Sequence, residues 1–260
     1  MDIAQLFDVS GKVAVVTGGS RGIGEMIAEG LVTNGVRTYI TARKAAACDA
    51  TAARLSELGE CISMPADLST EDGLASFTSA LAEREEQLHI LVNNAGAAWG
   101  APLDEFPAAG FDKVLDINVK APFLLTQALL PQLRAAASED DPARVIMTGS
   151  IDGLRVPIGD NFSYSASKAA IHMLARHLAH FVNQDHITVN SIAPGPFESK
   201  MMSYLLDDPK IRSGIESTVP MRRIGRPEDV AGAVIFLASR AGSYLTGAVI
   251  PVDGGISTHG

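Results

Sequence analysis

The sequence predicts an α/β fold, a single doubly wound parallel sheet with helices on both faces. Three observations predict it. Short apolar runs alternate with helical segments from one end of the chain to the other. The first run, "KVAVVTGG" (Lys12–Gly19), passes directly into a glycine-rich turn and a helix. No linker-like change of composition and no internal repeat divides the 260 residues, so residues 1–260 are read as one domain. Right-handed crossovers between the strands then put helices on both faces.

Each element has its own warrant. Lys12–Gly19 is a short apolar run, as a strand buried on both faces requires. Ile23, Ile27 and Leu31 follow at i, i+4, i+8, a helix that stops near Asn34-Gly35. "VRTYITAR" reads as the second strand. Ala45–Leu58 is helical in composition and stops at Gly59. "CISMPADLS" is a third strand with a loop, and Glu71–Glu86 a helix. "LHILVNNAG" is the fourth strand. Phe106–Ala137 holds one or two helices, with Pro122 and Pro131 at bends or starts. The polar Ser138–Pro142 is an exposed loop, and "ARVIMTGS" is strand five. Ser165–Asn183 is a long helix and "ITVNSIAPG" strand six. Residues 196–220 lack a strong period and are read as a substrate lid, with the apolar Met201–Leu206 run as a candidate cover. "RPEDVAGAVIFLAS" opens with the Pro-Glu-Asp of a helix start. "GAVIPVDGG" is the last strand.

Composition narrows the function. At 47% hydrophobic residues the chain can bury a large core. A formal net charge of -9 argues against a general nucleic-acid binder, which needs a basic footprint. Two cysteines, Cys48 and Cys61, cannot build a disulfide framework or a four-cysteine metal site. No stretch approaches the roughly 18 apolar residues of a membrane span. A soluble cytoplasmic protein with reduced thiols and no metal is expected.

Two local patterns carry chemistry. Gly18, Gly22 and Gly24 of "TGGSRGIG" lie between a strand and a helix. Glycine permits a tight turn and close backbone approach to a pyrophosphate, and the helix N-terminus adds its positive dipole end. The second pattern is "YSASK". Tyr164 and Lys168 are one helical turn apart and share a face. A phenol of pKa about 10 is a poor proton donor and acceptor at neutral pH, and a neighbouring ammonium is expected to lower that value. Such a pair arises easily by chance. Its position is what gives it weight, because Ser150 ends strand five fourteen residues earlier, where such sheets present ligand-contacting groups. Its hydroxyl is placed to bond a carbonyl oxygen as negative charge develops.

With Asp67-Leu68, Asn93-Asn94-Ala95-Gly96, Asn118, Pro194-Gly195 and the C-terminal "GRPEDVAGAVIFLAS" and "LTGAVIPVDGG", these patterns occur in an order that resembles the short-chain dehydrogenase/reductase family along essentially the whole chain. The nearest likeness is to 3-oxoacyl-carrier-protein reductases, and within them to the branch associated with rhamnolipid synthesis. The resemblance implies a Rossmann-type oxidoreductase that moves a hydride between NADP(H) and a carbonyl or secondary alcohol. A 3-oxoacyl thioester is the favoured substrate; a steroid, sugar or xenobiotic ketone is the alternative. A non-catalytic, cofactor-binding regulator is a reading of another class, disfavoured by the intact Asn118, Ser150, Tyr164 and Lys168.

The same resemblance implies the roles. Tyr164 is the proton donor, and Lys168 lowers its pKa and holds the nicotinamide ribose. Ser150 orients the carbonyl, and Asn118 supports a water relay to Lys168. Gly18, Ser20, Arg21, Gly22, Ile23 and Gly24 cradle the cofactor phosphates. Asp67 meets the adenine amine, with Leu68 beside the ring. Asn93, Asn94, Ala95 and Gly96 run along the adenosine ribose, and Pro194, Gly195, Phe197 and Ser199 along the nicotinamide. Two departures stand out: one extra residue between Ser150 and Tyr164, and Ser199 where threonine is common. Helices around Phe106–Ala137 and Ser165–Asn183 are apolar over much of their circumference, and in the family they pair between subunits, which predicts a homotetramer.

The phosphate-sorting position is legible in the residues. It should lie about twenty residues past the glycine turn, at the end of strand two. An acid there would bond a ribose 2′-hydroxyl. The sequence instead reads Ile40-Thr41-Ala42-Arg43. Arg43, with Arg21 in the turn, offers a guanidinium fork to a 2′-phosphate, so NADP(H) is the expected cofactor. Weaker signals remain. His177 and His180 have chelating i, i+3 spacing without a third ligand, His172 precedes them on the same helix, and Trp99 is as well suited to packing as to a substrate pocket.

Overall fold

The computed structural model describes residues 2–198 and 208–258. The apolar runs become strands: β1 Val13–Thr17, β2 Arg37–Thr41, β3 Cys61–Ser63, β4 Ile90–Asn93, β5 Ala143–Thr148, β6 Ile187–Pro194 and β7 Val249–Val252. All pair in parallel in one seven-stranded sheet of order β3-β2-β1-β4-β5-β6-β7. β1 pairs on one side with β2, Thr17 opposite Thr41, and on the other with β4, Val16 opposite Val92. The chain therefore winds away in opposite directions from the β1–β4 junction. That switch point opens a crevice at the carboxyl ends of the strands.

Every residue of β1, β5 and β6 is buried, which explains why these runs read as continuously apolar. On one face lie α2 (Gly22–Thr33), α3 (Ala45–Leu55) and a late helix, Pro227–Ala238. Ile27, Leu31, Cys48, Leu55, Val230 and Val234 pack there against Val16, Ile40 and Val92. α2 approaches the late helix closely because Gly30 has no Cβ; one would sit 2.6 Å from the Ala231 Cβ. On the other face, Phe77, Leu81, Leu125, Leu133, Ile171 and Ala175 cover Val15, Leu91 and Val145. Those residues belong to α4 (Glu71–Ala82), α6 (Ala121–Ala128), α7 (Leu130–Ala136) and α8 (Phe162–Val182).

Some boundaries differ from expectation. A short helix, α1 (Ile3–Leu6), precedes the sheet and was not expected. Phe106–Ala137 is three helices rather than one or two: α5 (Ala108–Leu115), a π-helical turn at Asp116–Lys120, then α6 and α7. Pro122 and Pro131 fall in first turns, so they start helices and do not bend them. Pro122 also has no N–H to give the Asn118 carbonyl four residues back, which removes one α-helical bond beside the wide turn. α8 begins at Phe162, three residues early, and so contains Tyr164 in its first turn. Residues 196–220, expected to form a lid, include α9 (Pro209–Thr218), which has no buried residue and is capped by Asp208. Ser199 and Met201–Leu206 lie outside the described residues. The Pro227–Ala238 helix, α10, starts at its proline as expected.

Candidate active site

The glycine turn takes its shape from left-handed backbone. Gly18 has φ +66° and Gly22 φ +55°. Gly24 is required by space: a Cβ there would lie 2.4 Å from both the Gly18 carbonyl oxygen and Asn94 Nδ2. The turn is tied to the β4 exit by a residue that the sequence reading did not single out. Thr17 Oγ1 accepts from the backbone N–H of Asn94 at 2.9 Å and of Ala95 at 2.8 Å. Asn94 Nδ2 returns a bond to the Thr17 carbonyl at 2.9 Å. Thr51 on α3 donates to the Ser20 carbonyl at 3.1 Å. No side chain caps the N-terminus of α2, where Arg21 is the N-cap and Ile23 is half-buried, so the helix presents uncapped N–H groups beside the crevice. Gly24→Ala is expected to destabilise the fold by about 1–3 kcal/mol, the cost of overpacking a backbone-lined site. A melting curve checks this, and an unchanged melting temperature would contradict it.

Arg21 and Arg43 are exposed, and neither makes an ion pair with another described residue. Around them the side chains are less available than expected. Asp67 Oδ1 accepts from the Ser69 N–H at 3.1 Å and its hydroxyl at 2.6 Å, closing the turn before α4. Leu68 is buried and lines a recess with Thr17, Asn93, Ala95, Ile117 and Ala121. Asn93 Nδ2 points into the helix layer and donates to Thr126 Oγ1 at 3.1 Å. Asn93 and Asn94 thus serve the protein with their side chains, and Asn94 and Ala95 give their backbone N–H groups to Thr17 as well.

Ser150, Tyr164 and Lys168 converge at the end of β5, and Asn118 lies beside α8 at the β4 exit. Ser150 caps the 3₁₀ turn Ile151–Gly153, its hydroxyl accepting from the Asp152 N–H at 3.1 Å. Lys168 is buried and donates to the Thr148 carbonyl at 2.8 Å, with Nζ 5.4 Å from the Tyr164 ring centroid. Burial pushes Tyr164 up to about 12; the Ser150 hydroxyl pulls it down, and Asp152 adds a further upward push. Burial alone brings Lys168 down to about 8. A Tyr164 pKa below its ordinary value is therefore not what the structure shows. The ammonium lies over the ring and is spent on a backbone carbonyl, so desolvation of the phenolate prevails. Asn118 lies in the π turn and is fully engaged. Its Oδ1 accepts from the Ala97 N–H at 2.8 Å, and its Nδ2 donates to the Ala97 carbonyl and to Ser167 Oγ, both at 2.9 Å. It joins the β4 exit to α8.

The far wall is the β6 exit. Pro194 ends the strand, and the Gly195 N–H donates to the Val252 carbonyl at 3.0 Å. A Cβ on Gly195 would sit 2.9 Å from the Asp253 Cα. Phe197 is buried over Gly225, so its ring belongs to the core. Trp99 packs on Gly110, with Lys113 Nζ 5.3 Å from its ring, which makes it a packing residue. His177 and His180 are exposed and lie against Phe181, whereas His172 is buried.

The chain is similar along nearly its whole length to proteins of one family. The family model described as Enoyl-(Acyl carrier protein) reductase matches residues 18–257. The rhamnolipids biosynthesis 3-oxoacyl-[acyl-carrier-protein] reductase of Pseudomonas aeruginosa is 49% identical over 249 residues, 96% of this chain and 97% of that one. The 3-oxoacyl-[acyl-carrier-protein] reductase MabA of Mycobacterium tuberculosis is 34% identical over 247 residues, 94% of this chain and 92% of that one. A solved Pseudomonas aeruginosa RhlG/NADP active-site complex superposes with a TM-score of 0.95 at 48% identity, covering 97% of this chain and 99% of that one. A match of this extent, on a doubly wound sheet with Ser150, Tyr164 and Lys168 together at the end of β5, places the protein in the short-chain dehydrogenase/reductase family.

Proposed function

We propose that the protein is an NADP(H)-dependent reductase of 3-oxoacyl thioesters. The observation that carries the reading is the gathering of Ser150, Tyr164 and Lys168 in one crevice with an uncapped α2 N-terminus and two arginines that have no ion-pair partner among the described residues. The residues fit a phosphorylated dinucleotide: N–H groups and positive charge stand where phosphates would lie, in a protein of net charge -9. The relatives named as 3-oxoacyl-[acyl-carrier-protein] reductases support the substrate class, and the RhlG/NADP complex supports the cofactor. When bound, NADPH supplies the hydride.

The side chains have distinct tasks. Ser150 donates its hydroxyl hydrogen to the substrate carbonyl, since its oxygen already accepts from Asp152. Tyr164 delivers the proton to the developing alkoxide. Lys168 stabilises the phenolate that remains and holds the nicotinamide ribose. Asn118 fixes the π turn, and its backbone carbonyl, with no N–H available from Pro122, is the relay point toward Lys168. Arg21 and Arg43 hold the 2′-phosphate. An NADPH-oxidation assay against acetoacetyl thioesters and other ketones tests the reading. Turnover of a sugar or steroid ketone alone would replace the substrate class, and no turnover with any ketone would reject the enzyme.

The pH dependence follows from the Tyr164 shift. With a phenol near 12, the protonated form needed for reduction dominates through the neutral range. Oxidation of the alcohol needs the phenolate, whose fraction rises about tenfold per pH unit below that value. Alcohol oxidation is therefore expected to accelerate from about pH 6 to about pH 10, while reduction loses nothing in the neutral range. Initial rates in both directions check this; an oxidation rate that falls with pH would contradict it.

We also assign a homotetramer working in the cytoplasm. Among the described residues no helix is long and apolar enough to cross a membrane, and both cysteines are free and buried. α8 leaves Met173 and Phe181 exposed, and α6 leaves Phe123 partly so, on the helices expected to pair. Sedimentation is expected to give a mass near four chains of 27.3 kDa; a monomer at micromolar concentration would reject the assembly.

A further inference from the structure

Lys168 and His172 are one turn apart on α8 and reach the same strand end. Lys168 grips the Thr148 carbonyl. His172 Nε2 lies 3.0 Å from the Ser150 carbonyl, two residues further along. A carbonyl only accepts, so the imidazole proton must sit on Nε2. His172 Nδ1 lies 2.8 Å from the Ser191 hydroxyl on β6. Burial lowers the His172 pKa, and the Lys168 and Arg176 charges act in the same direction against the Ser150 carbonyl. The ring is thus neutral, and Ser191 Oγ, which also lies 3.1 Å from the Met147 carbonyl, turns its one hydrogen to Nδ1 at the shorter 2.8 Å. Between the two gripped carbonyls lies Gly149. A Cβ there would fall 2.0 Å from the His172 Cε1, so the imidazole fills the space of a side chain.

Resting on the catalytic reading above, we propose that His172 is a positioning residue, which with Lys168 clamps Thr148-Gly149-Ser150 and fixes where the Ser150 hydroxyl points. The gripped carbonyl sets the ψ of Ser150, at 158°, and thereby the Ile151–Gly153 turn. That turn supplies the Asp152 N–H that holds the hydroxyl from the front. The carbonyl also accepts from the Gly153 N–H at 3.0 Å inside that turn, so losing His172 removes one of its two holds, which lets the Ser150 peptide shift and moves the donor away from the substrate oxygen. A histidine that only filled the core would affect folding and leave turnover per folded molecule unchanged.

The test compares His172→Leu, His172→Gln and the unaltered protein in NADPH reduction of an acetoacetyl thioester. NADPH affinity is followed by fluorescence and folding by melting temperature. His172→Leu is expected to lower kcat at least about tenfold, since small misplacements of a reacting group are costly, while NADPH affinity stays within about twofold. His172→Gln carries an amide donor at the reach of Nε2 and is expected to recover most of kcat, even if both variants melt earlier. Full turnover in folded His172→Leu, or equal slowing by Leu and Gln, overturns the proposal. Should His172→Leu not fold, the nitrogen NMR spectrum of the unaltered protein decides. A neutral His172 protonated on Nε2 is expected, and a proton on Nδ1 at neutral pH refutes the clamp. That spectrum needs no turnover, so a protein inactive on every ketone would sink the reductase reading while the tautomer still decides the clamp.

Discussion

Tyr164→Phe is expected to lower kcat by at least about 10²-fold, about 2.7 kcal/mol of transition-state stabilisation, with NADPH affinity little changed. The substitution keeps the ring and its packing and removes only the hydroxyl, so the fold should be undisturbed. In the proposed reaction the hydroxyl is the acid of the site, and burial keeps it protonated against the downward pull of the Ser150 hydroxyl. Neither Lys168 nor Asn118 stands free to replace it. Lys168 is held by the Thr148 carbonyl and Asn118 is saturated by Ala97 and Ser167. Steady-state kinetics with a fluorescence titration of NADPH make the measurement. A fully active Tyr164→Phe protein would end the assignment. Lys168→Ala is expected to differ by weakening NADPH binding as well, because that side chain has two tasks.

Arg43→Asp is expected to erase or reverse a preference for NADP(H) over NAD(H) of about 2–4 kcal/mol, from one or two charge-assisted contacts before solvent screening. In kcat/KM that preference is about 30- to 900-fold. Arg43 follows the end of β2, and Arg21 lies at the start of α2, after the neighbouring strand β1. Both are exposed without ion-pair partners among the described residues, so neither charge is committed to the fold. An aspartate at 43 repels a 2′-phosphate and can accept from a 2′-hydroxyl. Chemistry at Tyr164 should survive, and the wild-type preference should weaken as salt is raised. Equal kcat/KM for the two cofactors in the unaltered protein, or an unchanged ratio in Arg43→Asp, would show that the arginines do not read the phosphate.

The sequence alone determined the fold class and the gathering of the acid–base residues. A strand buried on both faces must be continuously apolar, and a helix packed on it must repeat every three to four residues, so β1 and α2 are legible without coordinates. The i, i+4 spacing of Tyr164 and Lys168 likewise fixes a shared helix face, and the order of strands places Ser150 at the same sheet edge. What the tertiary structure decided lies across long sequence separations. Thr17 holds Asn94 and Ala95 from 77 and 78 positions away, which no local spacing reveals. Asn93 turns inward because Thr126 meets it there, so its side chain is lost to the crevice. The Tyr164 pKa stays raised with Lys168 one turn away, because how strongly a buried phenol resists ionisation depends on everything packed around it, and spacing within one helix reports only the nearest charge. His172 reads in the sequence as one more helix histidine. It acquires its two partners only when α8 lies across the ends of β5 and β6 and Gly149 leaves room for the ring.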